Sequence, residues 1–482
     1  MKKIVIILTV FLISQIKNLE AQSSGSYGFS DAKSMSMGLT YASNGLGIDA
    51  IGVNPANLAL DDLSSFSLKT FFPLPPINLS ITTPLSIEKY NYFFGGVGDG
   101  TGKIVGRYLT QSDKDELNQL LGESDLIFNM NLNYLSFAFM VNEKIGGFGF
   151  AFVDRFGTNI RLSKVFTDLI FSGLYPVKIY SLSDMNVQAQ FWRELSFSYG
   201  RKVIELDNSF VKNLYAGISI KFIRGYYYLN TLKNNSYFQL GDDYVIRGNW
   251  DYEIQHAFTT DIAKNYGKDS IISVEDYSFS PFPTPAGTGT GFDIGFTSYI
   301  NDQFKVAFAV TDIGSINWDQ NHAIIKGSGE FTFEGYSSKD QIDSLTDKFK
   351  QVTSDLESSF SSSLPTALRF GISYQLDKAP FISNFPGTML VAFDYNQGLN
   401  NAIGNTTKPR FSLGIDWKPA KFIPRIRTGI SLGGKLGFRW GFGLGFALGP
   451  INFDLATYNF ESIVSPNSAR KINFALESRW RF

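Results

Sequence analysis

Residues 471–482 hold one phase to the last residue. Ile472, Phe474, Leu476, Trp480 and Phe482 share a parity, and Asn473, Glu477, Arg479 and Arg481 take the other, with Ser478 breaking the apolar set once. A period of two places these sets on opposite faces of a strand. A membrane barrel needs that division, with lipid outside and water or protein polar groups inside. An amphipathic strand of a soluble sandwich has the same period, so the rest of the chain must decide.

The rest repeats the pattern. Phe438, Trp440, Phe442, Leu444, Phe446 and Leu448 alternate with Arg439, Gly441, Gly443, Gly445 and Ala447, one face bulky and the other nearly bare. Residues 410–418 and 368–375 alternate in the same way, and 244–258 form an alternating run long enough to cross a membrane at a tilt. Leu135, Phe137, Phe139 and Val141 lead through Asn142–Lys144 into Phe148, Phe150 and Phe152, a hairpin. The parity change after Tyr134 predicts a bulge there. Further strands are expected near 77–82, 189–203, 214–228, 291–300, 304–312, 324–334, 387–397, 424–433 and 450–458. The total is about sixteen, or fourteen if 77–82 and 324–334 fall away. With 45 Phe and 45 Gly in 482 residues and no linker composition between halves, one closed sheet fits better than a sandwich. The expected fold is an all-β transmembrane antiparallel barrel of about 14 strands. All six Trp (192, 250, 318, 417, 440 and 480) lie in or at the ends of these strands, as interfacial girdles would place them.

Lys2 and Lys3 precede an apolar run over 4–13 with Ala21 downstream, which reads as a signal peptide, 1–21. The run is too short for a membrane helix. Removing Lys2, Lys3, Lys17 and Glu20 takes the formal charge from −1 to −3, which does not favour nucleic acid. The chain has no cysteine, excluding disulfides, thiolate chemistry and a cysteine-linked lipid anchor. Helical inserts are expected at 112–121 and at 339–356, where Ile342, Leu345, Phe349, Val352 and Leu356 recur at helical spacing. Both read as loop helices at the barrel mouth.

Residues 22–62 break the alternation and read as a leader before a barrel spanning 63–482. Within them, Asn54 precedes Pro55 and Ala56; Asn is a helix cap and Pro is tolerated at a first helical position, so a short helix should begin there. Met37-Gly38, the small and acidic residues before Asn54-Pro55-Ala56, and the strand-rich remainder ending in Phe482 resemble the FadL-type outer-membrane transporters and the related PorV-type barrels of type IX secretion. Asp312-Ile313-Gly314 with Trp318, and Arg410–Gly414, resemble an uncharacterised branch of such barrels. The resemblance implies fourteen strands with the N-terminal segment folded into the lumen as a plug, with Asn54, Pro55 and Ala56 as its turn. It also implies that Trp480 and Phe482 are read by the barrel-assembly machinery of a Gram-negative outer membrane.

Motifs for catalysis are weak. Gly429-Ile430-Ser431-Leu432-Gly433 matches a serine-hydrolase elbow, but both histidines, His256 and His322, precede it and it lies within a strand pattern. Gly287-Thr288-Gly289-Thr290-Gly291 lacks the Lys-Ser/Thr ending of a phosphate loop and reads as a flexible turn. No enzyme, cofactor or metal is expected. The suggestive polar set is Arg369, Asp394, Arg410, Asp416, Arg425, Arg427, Arg439, Asp454, Glu477 and Arg479, all opposite the aromatics and so expected to face the lumen. Mutual pairing is the preferred reading of that set; steering of an anionic headgroup is the functional alternative. Two functions follow from the resemblance: a channel for hydrophobic or amphipathic small molecules, or a PorV-like dock for secreted proteins. A purely structural envelope protein is a third.

Overall fold

The computed structural model describes residues 31–60, 66–122, 125–205, 211–259, 282–334, 353–355, 359–382, 384–434 and 437–482. Fourteen antiparallel strands close into a barrel. The first strand, β1, is broken into Phe66–Thr70 and Ile77–Thr82. Then come β2 (Leu126–Asn142), β3 (Gly146–Arg161), β4 (Asn186–Glu205), β5 (Asn213–Asn234), β6 (Gly287–Tyr299) and β7 (Phe304–Trp318). The other half comprises β8 (Ala367–Gln375), β9 (Thr388–Gly398), β10 (Arg410–Lys418), β11 (Arg425–Gly433), β12 (Arg439–Leu448), β13 (Ile451–Thr457) and β14 (Lys471–Arg481).

Closure joins the two ends of the wall. Both segments of β1 pair with β14 on one side and β2 on the other. Phe66 and Phe482 exchange backbone hydrogen bonds at 3.3 and 3.0 Å, and their rings lie 6.0 Å apart. A sealed sheet leaves no open edge for lipid to face. Ser478, the one polar residue on the apolar parity of β14, has a local task. Its hydroxyl accepts from Leu74 N at 3.2 Å and donates to Leu74 O at 2.8 Å, fastening the break in β1.

The outer surface is apolar. Phe197, Phe222, Phe296, Phe308, Phe411 and Trp440 are exposed on it, whereas Ser198, Lys221, Thr297, Ala307, Ser412 and Arg439 beside them in sequence are buried in the bore. Phe137, Phe150 and Phe197 contact from strand to strand with ring centroids 5.2 and 5.1 Å apart. Such cross-strand pairs stabilise a sheet by roughly 0.2–1 kcal/mol each. The bulge expected near Tyr134 is present, as a register shift between Asn133 and Leu135 against β3.

Several expectations need correction. The strand expected at 77–82 is not among these; it is present in the wall as the second segment of β1. The run at 244–258 does not cross as a wall strand; Ile246–Phe258 pairs with the loop-end half of β5 and with His322–Phe333. These strands extend β5 beyond the point where β6 takes over its edge, so length alone did not mark a wall strand. Phe66–Thr70 is a strand that the sequence reading missed. Gly287–Gly291 is no turn: it opens β6, and an added Cβ at Gly287 or Gly289 would collide with Trp318 or Ile316. Trp192, Trp250 and Trp318 are buried, so they are packing residues and not girdle residues.

The helix expected at 112–121 is present as Gln111–Gly122. Two more loop helices, Ile87–Phe94 and Lys164–Phe171, were not foreseen. The 339–356 helix lies outside the described residues, apart from 353–355, which form a short strand against Ile324–Lys326. The signal peptide also lies outside them.

Candidate functional site

The bare faces noted in the sequence are explained by what lies on them. Residues 31–60 are almost entirely buried and pack against the inner face of the wall on opposite sides. Gly147, Gly200, Gly217 and Gly295 are successive cross-strand partners on β3, β4, β5 and β6. A Cβ added to any of the four would fall within 2.0–2.3 Å of an atom of Asn54, Pro55 or Leu58. Across the bore, Gly414, Gly429 and Gly441 form a second row on β10, β11 and β12. There a Cβ would fall within 2.2–2.3 Å of atoms of Met35, Met37 or Thr40. Removing side chains from two inward rows gives the segment backbone-to-backbone contact with the wall.

The turn at Asn54 forms as expected. Pro55–Ala59 is a 3₁₀ helix capped by Asn54, whose Oδ1 accepts from Ala56 N at 3.2 Å. Asn54 Nδ2 also donates to Thr297 Oγ1 on β6 at 2.9 Å, and Thr297 Oγ1 donates to Asn57 Oδ1 at 2.6 Å. Ala56 is fully buried.

Charge fixes the segment on its other side. Lys69 Nζ on β1 lies 3.2 Å from Asp31 Oδ2, 3.0 Å from Asp49 Oδ1 and 3.1 Å from Glu477 Oε2. These three carboxylates converge closely enough to hold a cation, and the ammonium serves as that cation. Arg479 joins the same group, 2.7 Å from both Asp49 Oδ2 and Glu477 Oε1. Arg427 continues it to Asp454 at 2.5 Å and Asp416 at 3.1 Å, and Arg425 reaches Asp416 at 2.9 Å. Asp394 holds the segment by accepting from Tyr41 N at 2.6 Å and Ala42 N at 2.8 Å.

Nine of the ten charged residues singled out from the sequence are buried in the bore. Arg425 lies at its turn-end mouth, its side chain 39 % exposed. Arg439 donates to Asn459 Oδ1 and lies over the Tyr458 ring.

Sequence reasoning missed a second buried group. Lys221 Nζ contacts Asp312 at 2.5 Å and Asp293 at 2.8 Å, and Arg155 contacts Glu194 at 3.1 Å and Asp312 at 3.4 Å. Asp312 stands at a register shift between β6 and β7 with φ +57°, which breaks the parity that would have flagged it. Lys221 and Asp293 do keep the inward parity of their strands and could have been found by it. Ser431 lies within β11, its hydroxyl bonded to that of Tyr458, so the elbow-like motif is a strand.

The two ends of the bore differ. Toward the long loops the lumen is apolar: Trp192, Ile223, Tyr228, Ile316 and Trp318 pack with Phe360, Leu364 and Ile403. Gln190 Nε2 holds the Ile403 carbonyl at 2.7 Å. At the short-turn end a cavity of about 540 Å³ opens beneath the inner segment. Its charged lining is Lys33, Lys305, Lys378, Lys418, Arg425, Arg427, Arg479 and Arg481 against Asp49, Asp377, Asp416 and Asp454. This cavity is polar and cationic.

Solved structures similar to this chain include proteins described as hydrocarbon channels. A TodX mutant described as a monoaromatic hydrocarbon channel superposes with a TM-score of 0.51 at 12 % identity, covering 95 % of this chain and 100 % of that one. The TodX toluene transporter of Pseudomonas putida (TM-score 0.47, 13 % identity, 95 % and 99 % coverage) and a FadL homologue of Pseudomonas aeruginosa (TM-score 0.44, 12 % identity, 95 % and 100 % coverage) are more distant in shape. No curated protein matches the sequence. Residues 69–457, all but the start of the wall and its last strand, match the family of unknown function DUF5723, and the chain belongs to that family.

Proposed function

We propose that this barrel lies in the outer membrane of a Gram-negative cell and conducts hydrophobic or amphipathic small molecules. The carrying observation is the apolar loop-side bore, where Trp192, Ile316 and Trp318 face inward at positions that a water-filled pore would give to polar residues. The barrel shared with a hydrocarbon channel supports the same reading. Leu364 and Ile403 are the residues that an entering molecule displaces. Residues 31–60 are the plug below them, and passage requires that plug to shift.

The test is uptake of radiolabelled toluene and of a fluorescent long-chain fatty acid by proteoliposomes carrying the full mature chain. Uptake of either above empty vesicles, reduced by Ile403→Arg, is expected. Rates equal to empty vesicles for both compounds would remove the reading. A stoichiometric secreted protein co-purifying with a barrel inactive in uptake would replace it with docking.

A further inference from the structure

The buried cations of the bore differ in what they meet. Lys69, Arg155, Lys221, Arg427 and Arg479 each contact at least one carboxylate. Among the described residues, no carboxylate lies within ion-pair distance of Arg369 or Arg410. Both are about 5 % exposed. Arg369 Nε donates to Thr311 Oγ1 at 3.2 Å, while Arg369 Nη2 and Arg410 Nε have no partner among the described residues.

The two arginines belong together. Arg369 on β8 and Arg410 on β10 both pair with Asn396 on β9. Strand spacing puts their backbones roughly 10 Å apart, a gap that two guanidinium side chains bridge from both sides. Asn396, 3 % exposed, has no partner for either Oδ1 or Nδ2 among the described residues. One row toward the turns, Asp394 Oδ1 and Ser412 Oγ are unpartnered too, and so is Ser43 Oγ on the inner segment. Gly371, in that row, would touch Ala42 and Ser43 if it bore a Cβ, so the set adjoins the inner segment.

Buried polar groups are nearly always satisfied, and a buried guanidinium with unfilled hydrogen-bond donors is costly to leave alone. Six residues with orphaned atoms in two adjoining rows, two of them cationic, call for a common occupant. Planar guanidinium forks match the paired oxygens of carboxylate and phosphate. Asn396 and Ser412 add neutral donors, and Asp394 Oδ1 can accept from the hydroxyl of a hydrogen phosphate.

We propose that Arg369, Asn396 and Arg410 form a binding site for a compact oxyanion, a phosphate or carboxylate group, immediately against the inner segment. The oxyanion is either free or the head of an amphiphile descending the bore; the second source rests on the channel reading, and the first does not.

The experiment titrates inorganic phosphate and, separately, dodecyl phosphate into the full mature chain in dodecyl maltoside, read by calorimetry. Saturable binding of at least one probe is expected, weakened at least tenfold by Arg369→Gln and by Arg410→Gln and unchanged by Lys421→Gln on a short turn. Dodecyl phosphate binding at least a hundredfold tighter assigns the site to a headgroup; comparable affinities assign it to the free anion. If the Gln variants do not assemble, selenate soaked into wild-type crystals should give an anomalous peak between the two guanidinium groups. Saturation by neither probe, affinity unchanged in both variants, or no peak would overturn the site. Failed hydrocarbon uptake with intact phosphate binding would remove the channel and leave the site.

Discussion

Arg479 on the last strand of the wall meets Asp49 on the inner segment, Nη1 to Oδ2 at 2.7 Å, across 430 residues of sequence. The pair is fully enclosed, and Lys69 Nζ stands 3.0 Å from the other oxygen of Asp49. Four charged side chains, Asp49, Lys69, Glu477 and Arg479, thus tie the Gly47–Ala50 turn of the inner segment to both strands at the closure seam.

Removing one member of such a group strands the others. Arg479→Ala leaves Glu477 and Asp454 with one cation fewer and is expected to lower stability by about 3–5 kcal/mol. Urea unfolding of the barrel in detergent measures it. Because Asp49 shares the interaction, Arg479→Ala in an Asp49→Asn background should cost measurably less than in wild type. Strict additivity of the two changes would show that the contact carries no coupling.

The glycine rows make a steric prediction. A side chain at Gly200 begins 2.3 Å from the Pro55 carbonyl oxygen, so Gly200→Leu should expel residues 54–58 from their seat without unfolding the wall. Single-channel conductance in planar bilayers should rise and protease should cut within 31–60. Gly98→Ala, with open space around it, should change neither.

The lipid-facing surface is testable by one charge. Phe222 is 51 % exposed, and Lys221 beside it is wholly buried. Phe222→Arg puts a cation against acyl chains and should cost about 2–4 kcal/mol near the bilayer midplane. The readout is folding equilibrium in phospholipid vesicles; in detergent the penalty should shrink.

Ser478→Ala adds no bulk and removes both hydrogen bonds to Leu74. Two backbone groups at the break in β1 lose a partner, for an expected loss of about 1–3 kcal/mol. The heat-modifiability midpoint on a gel should fall. An unchanged midpoint would mean that the break is held by strand pairing alone.

The alternation of 438–448 and 471–482 was enough to specify the strands, their outward faces and an inward set of charges, because a period of two is a local property and burial of charge in lipid is costly at any fold detail. Asn54-Pro55 specified its own turn for the same local reason. Even the bare inward faces were visible as Gly441, Gly443 and Gly445. What they were for was not. That Gly441 receives Met35 and Gly200 receives Pro55 depends on closing the sheet around the segment, which no local pattern encodes.

Tertiary structure alone also decided which alternating runs enter the wall. Residues 246–258 and 287–299 both alternate, and both pair with β5; the closed circumference admits one of them and leaves the other as an extension. In the same way, Arg427 and Arg410 look alike in sequence, each inward on its strand. The fold gives one two carboxylates within ion-pair distance and the other none among the described residues, because pairing depends on neighbours contributed by distant segments. Local periodicity therefore determined the faces of this protein, and long-range closure decided what each inward residue touches.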